Sequence, residues 1–274
     1  MSTSFEVPDR LDQAMDGAGL VAGAANIIMQ LAHPGVGYGV YESKVESGQL
    51  FRHPIKRSRT TLTYLVVAAR GTDEEKALFR KGVNRAHAKV RSTPDSPVQY
   101  NAFDPELQLW VAACIYRGFE DVTRALHGEL SPEASEYFYK EGATFGTTLQ
   151  VPEDMWPADR EAFEEYWNNA LEKVSIDDTI REHVLSIARL EFVHPIISRL
   201  VGPMNLFFTR GFLPQRFRDE MRLTWTDKDQ RRFDRTMSTV GAVSRRLPAP
   251  LREFPYNLLM RDLRRRIKTG RALV

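Results

Sequence analysis

Apolar positions recur along most of the chain at the three-and-four spacing of a helix face. Thr61, Tyr64, Leu65 and Ala68 line one side of a helix predicted over 57–70. After the turn Arg70-Gly71-Thr72, the run Asp73-Glu74-Glu75 places negative charge at a helix start,. The spacing predicts that this helix runs to about Arg91, with Phe79, Gly82, Val83, Ala86 and Val90 on its inner face. Thr93-Pro94-Asp95-Ser96-Pro97 reads as a loop,. Asp104-Pro105-Glu106 then opens a helix carrying Leu107, Trp110, Val111, Cys114 and Ile115, with proline at its first position,. Ser131-Pro132-Glu133 opens another in the same way, and further helices are predicted at 158–172, 177–191, 195–208, 214–223 and 227–244.

Convincing period-two alternation is scarce, and no internal repeat, low-complexity run or long linker interrupts the pattern. The predicted class is all-α, with a lead-in over 1–24, one helical domain over 25–244 and a basic tail over 245–274. The most apolar stretch, Gly19 to Ala32, is shorter than the ~20 residues a membrane-spanning helix needs,. The acidic residues Glu6, Asp9, Asp12 and Asp16 depart from the order of a signal peptide,. The expected location is therefore cytoplasmic.

Composition narrows the chemistry. The 274 residues include 38 Lys+Arg against 36 Asp+Glu, and a net charge of +2 gives no global field that argues for nucleic acid,. The near-neutral total hides an asymmetry. From Arg245 onward nine basic residues face two acidic ones, which leaves the rest of the chain at about −5,. This tail reads first as a solvated terminal segment. The sharper reading is a peripheral membrane contact, or contact with another anionic surface, with Leu258, Leu259, Leu263 and Ile267 as its apolar side. One cysteine, Cys114, excludes a disulfide framework and any cysteine-built metal cluster,.

His87 stands out among the six histidines because it lies four residues after Val83 and three before Val90, on the apolar stripe. Two readings are open: a core imidazole hydrogen-bonded to a neighbour, or an axial haem ligand, which needs only one protein side chain. Arg91, one turn further if the helix continues, would meet a carboxylate such as a haem propionate. Arg57 and Thr61 stand four apart on the face that continues into Tyr64, so they could line a polar pocket,. Glu191 and His194 have the Glu-x-x-His spacing of carboxylate di-iron bundles, but no second pair exists,. His33 is expected to favour the dipole at the end of the first apolar helix, and His183 to lie at the surface. The glycines of GVGYG (35–39) follow no strand, so a phosphate loop is not indicated, and Gly-x-Ser-x-Gly is absent,.

The succession QLAHPGVGYGV, RTTLTYLVVAARGTDEE, VNRAHAKVR and YNAFDPELQLWVAA resembles the MpaB-type oxygenase family, which includes the latex-clearing rubber oxygenases. The likeness covers roughly residues 25–225. It implies an all-α, globin-like haem b protein that uses dioxygen on an apolar small-molecule substrate of isoprenoid or lipid type. Carried over by motif, the proximal haem ligand falls on His87 in HAKVR, with a second-shell acceptor expected on the other ring nitrogen. The family's Arg and Thr fall on Arg57 and Thr61, which the likeness places near haem and dioxygen.

Three positions depart from the family pattern. Ala112 follows Trp110-Val111 where many members carry His; Tyr41-Glu42-Ser43 stands where many carry His-Ser; and Thr60 occupies a position where rubber-cleaving members can place Lys. Glu42 is then a candidate base near the pocket. The alternative reading is a non-catalytic all-α haem- or ligand-binding protein, or a membrane-surface protein, that keeps the fold without oxidising anything.

Overall fold

A computed structural model describes residues 10–274, so the first nine residues of the expected lead-in lie outside the described part. The chain is all-α. A 3₁₀ turn, Gly17–Ala22, leads into α1 (Gly23–Leu31) and α2 (Pro34–Tyr41). The hairpin of α3 (Pro54–Arg70) and α4 (Asp73–His87) follows, then the long α5 (Pro105–His127). Next come α6 (Pro132–Gly142), the single turn α7 (Thr144–Thr147), α8 (Arg160–Leu171), α9 (Asp178–Ala188) and α10 (Pro195–Phe212). The chain closes with α11 (Gln215–Glu220), α12 (Asp227–Ser244), the short α13 (Ala249–Arg252) and α14 (Tyr256–Lys268). Among the described residues the only β pairing is an isolated bridge between Arg91 and Asn101.

Local chemistry sets the helix starts. Asp104, Ser131, Asp159 and Asp177 each accept a hydrogen bond from an early backbone N–H of the helix they precede,. Thr72 with Glu75, and Thr226 with Asp229, close reciprocal capping boxes on α4 and α12,. Several helix ends shift by up to four residues, among them α10, which runs to Phe212 rather than 208, and three departures bear on the site region. α4 stops at His87 rather than Arg91, because Ala88–Val90 turn away and 90–92 pair with 100–102 through Ala102 N–H to Val90 O and Ser92 N–H to Tyr100 O. The apolar run from Gly19 splits into a 3₁₀ turn and an α-helix. The segment GVGYG is itself the helix α2.

That glycine-rich helix is a packing device. A Cβ on Gly37 would lie 2.6 Å from the Leu31 carbonyl oxygen and against the Ile180 side chain. Only glycine lets α2 fold back so closely on α1 and α9. His33 caps α2: its Nδ1 accepts from Gly35 N–H at 3.2 Å. The expected role at the end of the preceding helix is therefore replaced by an N-cap, which suits an imidazole that burial keeps neutral.

The main core surrounds α5, which packs against α1, α7 and α12. Trp110 stacks on Trp167 at 5.4 Å and donates to the Gln30 carbonyl at 3.0 Å. A second apolar cluster joins Val66 and Val67 of α3, Phe79 of α4, Met15, and Tyr256, Met260 and Leu263 of α14. Much of the apolar side assigned to the tail faces inward on α3: Leu263 is buried, Leu259 and Ile267 are half-buried, and Leu258 stays exposed. Tail residues thus supply core to the α3–α4 hairpin that carries the candidate site. No helix among the described residues is long and apolar enough to cross a membrane.

Candidate functional site

The tight turn at Gly71-Thr72 makes α3 and α4 an antiparallel pair, and counting back from it sets Arg57 opposite His87. The positive charge of Arg57 reaches the His87 imidazole. Burial, and next the charge of Arg57, hold His87 down to about 4, so it is a neutral base at ordinary pH,. His87 Nδ1 is buried and has no hydrogen-bond partner. The second-shell acceptor expected on the other ring nitrogen is therefore not found at Nδ1. The nearest ring is Phe103, edge-on at 6.3 Å.

Arg57 is half-buried, with its guanidinium nitrogens still reaching solvent, and burial alone pushes its pKa down. No ion pair, hydrogen bond or cation–π contact engages it among the described residues. Partial burial of a cation without an anion is unfavourable, and such uncompensated groups cluster at functional sites. One turn along α3, the hydroxyl of Thr60 is also buried and unpartnered. Thr61 is half-buried beside it. Helical spacing from Arg57 singled out Thr61 at i+4. The structure adds Thr60 at i+3, a position the same spacing rule would have offered.

A polar brace behind α4 was not anticipated from sequence. Lys76 Nζ donates to Thr144 Oγ1 at 3.0 Å, and Arg80 donates to the carbonyls of Thr148 and Thr147 at 2.9 and 3.0 Å. Gln150 Nε2 bonds Asn84 Oδ1, and Gln108 Nε2 donates to Gln150 Oε1 at 2.7 Å. Lys76, Arg80 and Asn84 recur every four residues, so one stripe of α4 is pinned to 144–150 and fixes the helix end that carries His87. The signal was present as this polar stripe, but its partners lie some 70 residues away.

The remaining candidates make contacts of their own. Glu42 Oε2 accepts from Ser96 Oγ and Tyr100 OH, both at 2.6 Å, and so ties the end of α2 to the 93–101 loop. Arg91 is exposed and donates to the Ala88 carbonyl at 3.2 Å. The helix register that put it one turn beyond His87 does not hold, because α4 has ended. His194 caps α10, and no group of three or more His, Cys, Asp or Glu side chains converges among the described residues. His183 is half-buried at the surface, with Tyr41 and Phe51 packed on its ring at 5.4 and 5.7 Å.

The donor set fits haem in three respects. One neutral imidazole is available, a half-buried cation lacks the carboxylate that a propionate would supply, and an unpaired hydroxyl stands beside them,. Two surface hollows, one between the 3₁₀ turn and α12–α13 and one at the start of α3, are lined by neither His87 nor Arg57.

Comparison with known proteins identifies the family. Two uncharacterized proteins, one of Mycobacterium bovis and one of Mycobacterium tuberculosis, are each 50% identical to the chain over 251 residues, covering 92% of it and 98% of the relative. No solved structure matches the chain. Residues 12–242 match the family described as ER-bound oxygenase mpaB/B'/rubber oxygenase, catalytic domain, and the chain belongs to that oxygenase family.

Proposed function

We propose that the protein is a haem b-dependent oxygenase acting with dioxygen on an apolar small molecule. The observation that carries this reading is the pair Arg57 and His87: a half-buried cation with no anion among the described residues, near a neutral imidazole whose buried Nδ1 is unpartnered. When bound, haem would supply the redox chemistry with dioxygen that the side chains of this chain lack. His87 would hold it through an imidazole lone pair that stays free of protons above about pH 4. Arg57 would bind a propionate carboxylate, which neutralises its charge. The hydroxyls of Thr60 and Thr61, on the same helix face, would orient the oxygen-bearing reactant. The apolar cluster under α3 and α4 keeps water from the base of the site.

The test is the absorption spectrum of the purified protein, as isolated and after hemin addition. A Soret band is expected in the wild type and a lost or shifted band in His87→Ala. A protein that takes up no hemin, or an identical spectrum in the variant, overturns the ligand assignment. Oxygen consumption with apolar substrates then separates an oxygenase from a non-catalytic haem binder: loaded protein that consumes none favours the binder.

A further inference from the structure

Helix α10 buries only one side. Asn205 Nδ2 donates to the Ala188 carbonyl at 2.8 Å, and a Cβ on Gly202 would lie 2.5 Å from the Arg189 carbonyl oxygen, so this face is pressed on the end of α9. The opposite face carries Ile196, Ile197, Leu200 and Met204, which are 64%, 50%, 75% and 56% exposed. Ile196, Leu200 and Met204 stand four apart and form an apolar ridge about 12 Å long. Isolated exposed apolar residues are ordinary, but a contiguous ridge marks an interaction surface.

The ridge is not alone. Three residues before α10, Phe192 meets Phe51 edge-on at 6.3 Å, and Phe51 in turn packs on His183, which packs on Tyr41. Phe51 and Tyr41 are themselves exposed by 43% and 48%. The aromatic cluster and the helix ridge thus form one surface.

Charge selects the occupant. Arg199 stands between Ile197 and Leu200, Arg52 follows Phe51, and Lys56 follows the exposed Ile55; all three are exposed, and none enters an ion pair. Of the flanking acids, Glu191 is paired with Arg189 at 3.9 Å, whereas Glu46, 3.4 Å from His53, is offset only when that imidazole carries a proton; exposed Glu46 and Glu182 are therefore the acidic exceptions, outnumbered by the three cations. A second copy docking by two-fold symmetry would set like charges against each other. A bilayer of anionic lipid instead offers hydrocarbon for the ridge and negative headgroups for the unpaired cations. We propose that the outer face of α10, with the Phe51 cluster, docks the protein on an anionic lipid surface.

The proposal stands independently of haem and is tested by co-sedimentation with vesicles. The protein is expected to pellet with mixed phosphatidylcholine–phosphatidylglycerol vesicles and to remain in solution with pure phosphatidylcholine. The double variant Leu200→Asp, Met204→Asp should partition about tenfold or more weaker. Arg52→Ser with Lys56→Ser and Arg199→Ser should weaken binding to the mixed vesicles several-fold. Circular dichroism checks that the variants, altered only at exposed positions, remain folded. Wild-type protein that ignores the anionic vesicles, folded variants that bind as wild type does, or a dimer in sedimentation velocity that Leu200→Asp dissociates would each overturn the proposal. So would binding that survives these changes and is lost in Leu258→Asp on α14.

Discussion

Arg57 and His87 face each other across the α3–α4 hairpin, and the charge of the first helps keep the imidazole of the second neutral. Among the described residues neither group has its own partner: the guanidinium has no anion and Nδ1 has no hydrogen-bond mate. The arrangement costs stability in the absence of a ligand, and several consequences can be measured.

Replacing Arg57 by Met removes the uncompensated cation but keeps the stem that packs beneath it. The ligand-free variant is expected to be at least as stable as wild type, with a gain of up to about 1 kcal/mol in urea unfolding, because solvent still reaches the guanidinium,. Its hemin uptake should fall at the same time. A variant destabilised by a similar amount would mean that the guanidinium is already satisfied.

The pH dependence of stability follows from His87 and from His127, whose burial also holds it down to about 4. Both start from an ordinary value of 6.5, so between pH 6.5 and 4 the unfolded chain binds protons that the folded chain refuses,. The contribution of the two histidines is therefore full above pH 6.5 and falls as the pH drops toward 4, opposed in part by Asp121, which burial raises to about 6 so that the folded chain holds a proton there,. Each histidine accounts for up to about 3 kcal/mol of this loss. Unfolding midpoints measured through that window should flatten by about one proton in His87→Gln. An unchanged slope would contradict the burial of this imidazole.

Thr72→Ala breaks the capping box that starts α4 and should cost about 1 kcal/mol,. The effect is measured as a lower unfolding midpoint with an unchanged denaturant slope.

Gly37→Ala and Gly202→Ala should each destabilise by about 1–3 kcal/mol or more. In both, the new methyl group would meet a backbone carbonyl oxygen, at 2.6 and 2.5 Å, and backbone cannot swing aside as a side-chain tip can. Gly23→Ala is the control: a Cβ there meets nothing within 4 Å, and alanine is the better helix former,.

Much of the fold was legible because its signals are local. Asp104-Pro105 and Ser131-Pro132 announce helices in the residues themselves, and Thr72 with Glu75 does the same for α4. The likeness that pointed to His87, Arg57 and Thr61 was legible as motif order. What misled were features whose meaning lies in distant partners. Val90 keeps the helical spacing of α4, yet its carbonyl is taken by Ala102, and the helix ends three residues earlier. GVGYG looks like a loop until Ile180 and Tyr100 are found against its missing side chains. Glu42 looked like a free base, but two hydroxyls bind it.

The sequence by itself determined the all-α class, most helix starts and the turn that joins α3 to α4. Capping, proline placement and three-and-four periodicity are properties of a few neighbouring residues. Only the tertiary structure decided that Arg57 goes unpaired, that Thr60 joins it, that the Lys76–Arg80–Asn84 stripe is braced by 144–150, and that the basic end of the chain folds onto α3. Burial and the absence of a partner are sums over every segment that comes near a group, and no local pattern contains that sum. The same reason leaves one face of α10 apolar and open, since an amphipathic pattern shows which side is greasy but not which neighbour covers it,.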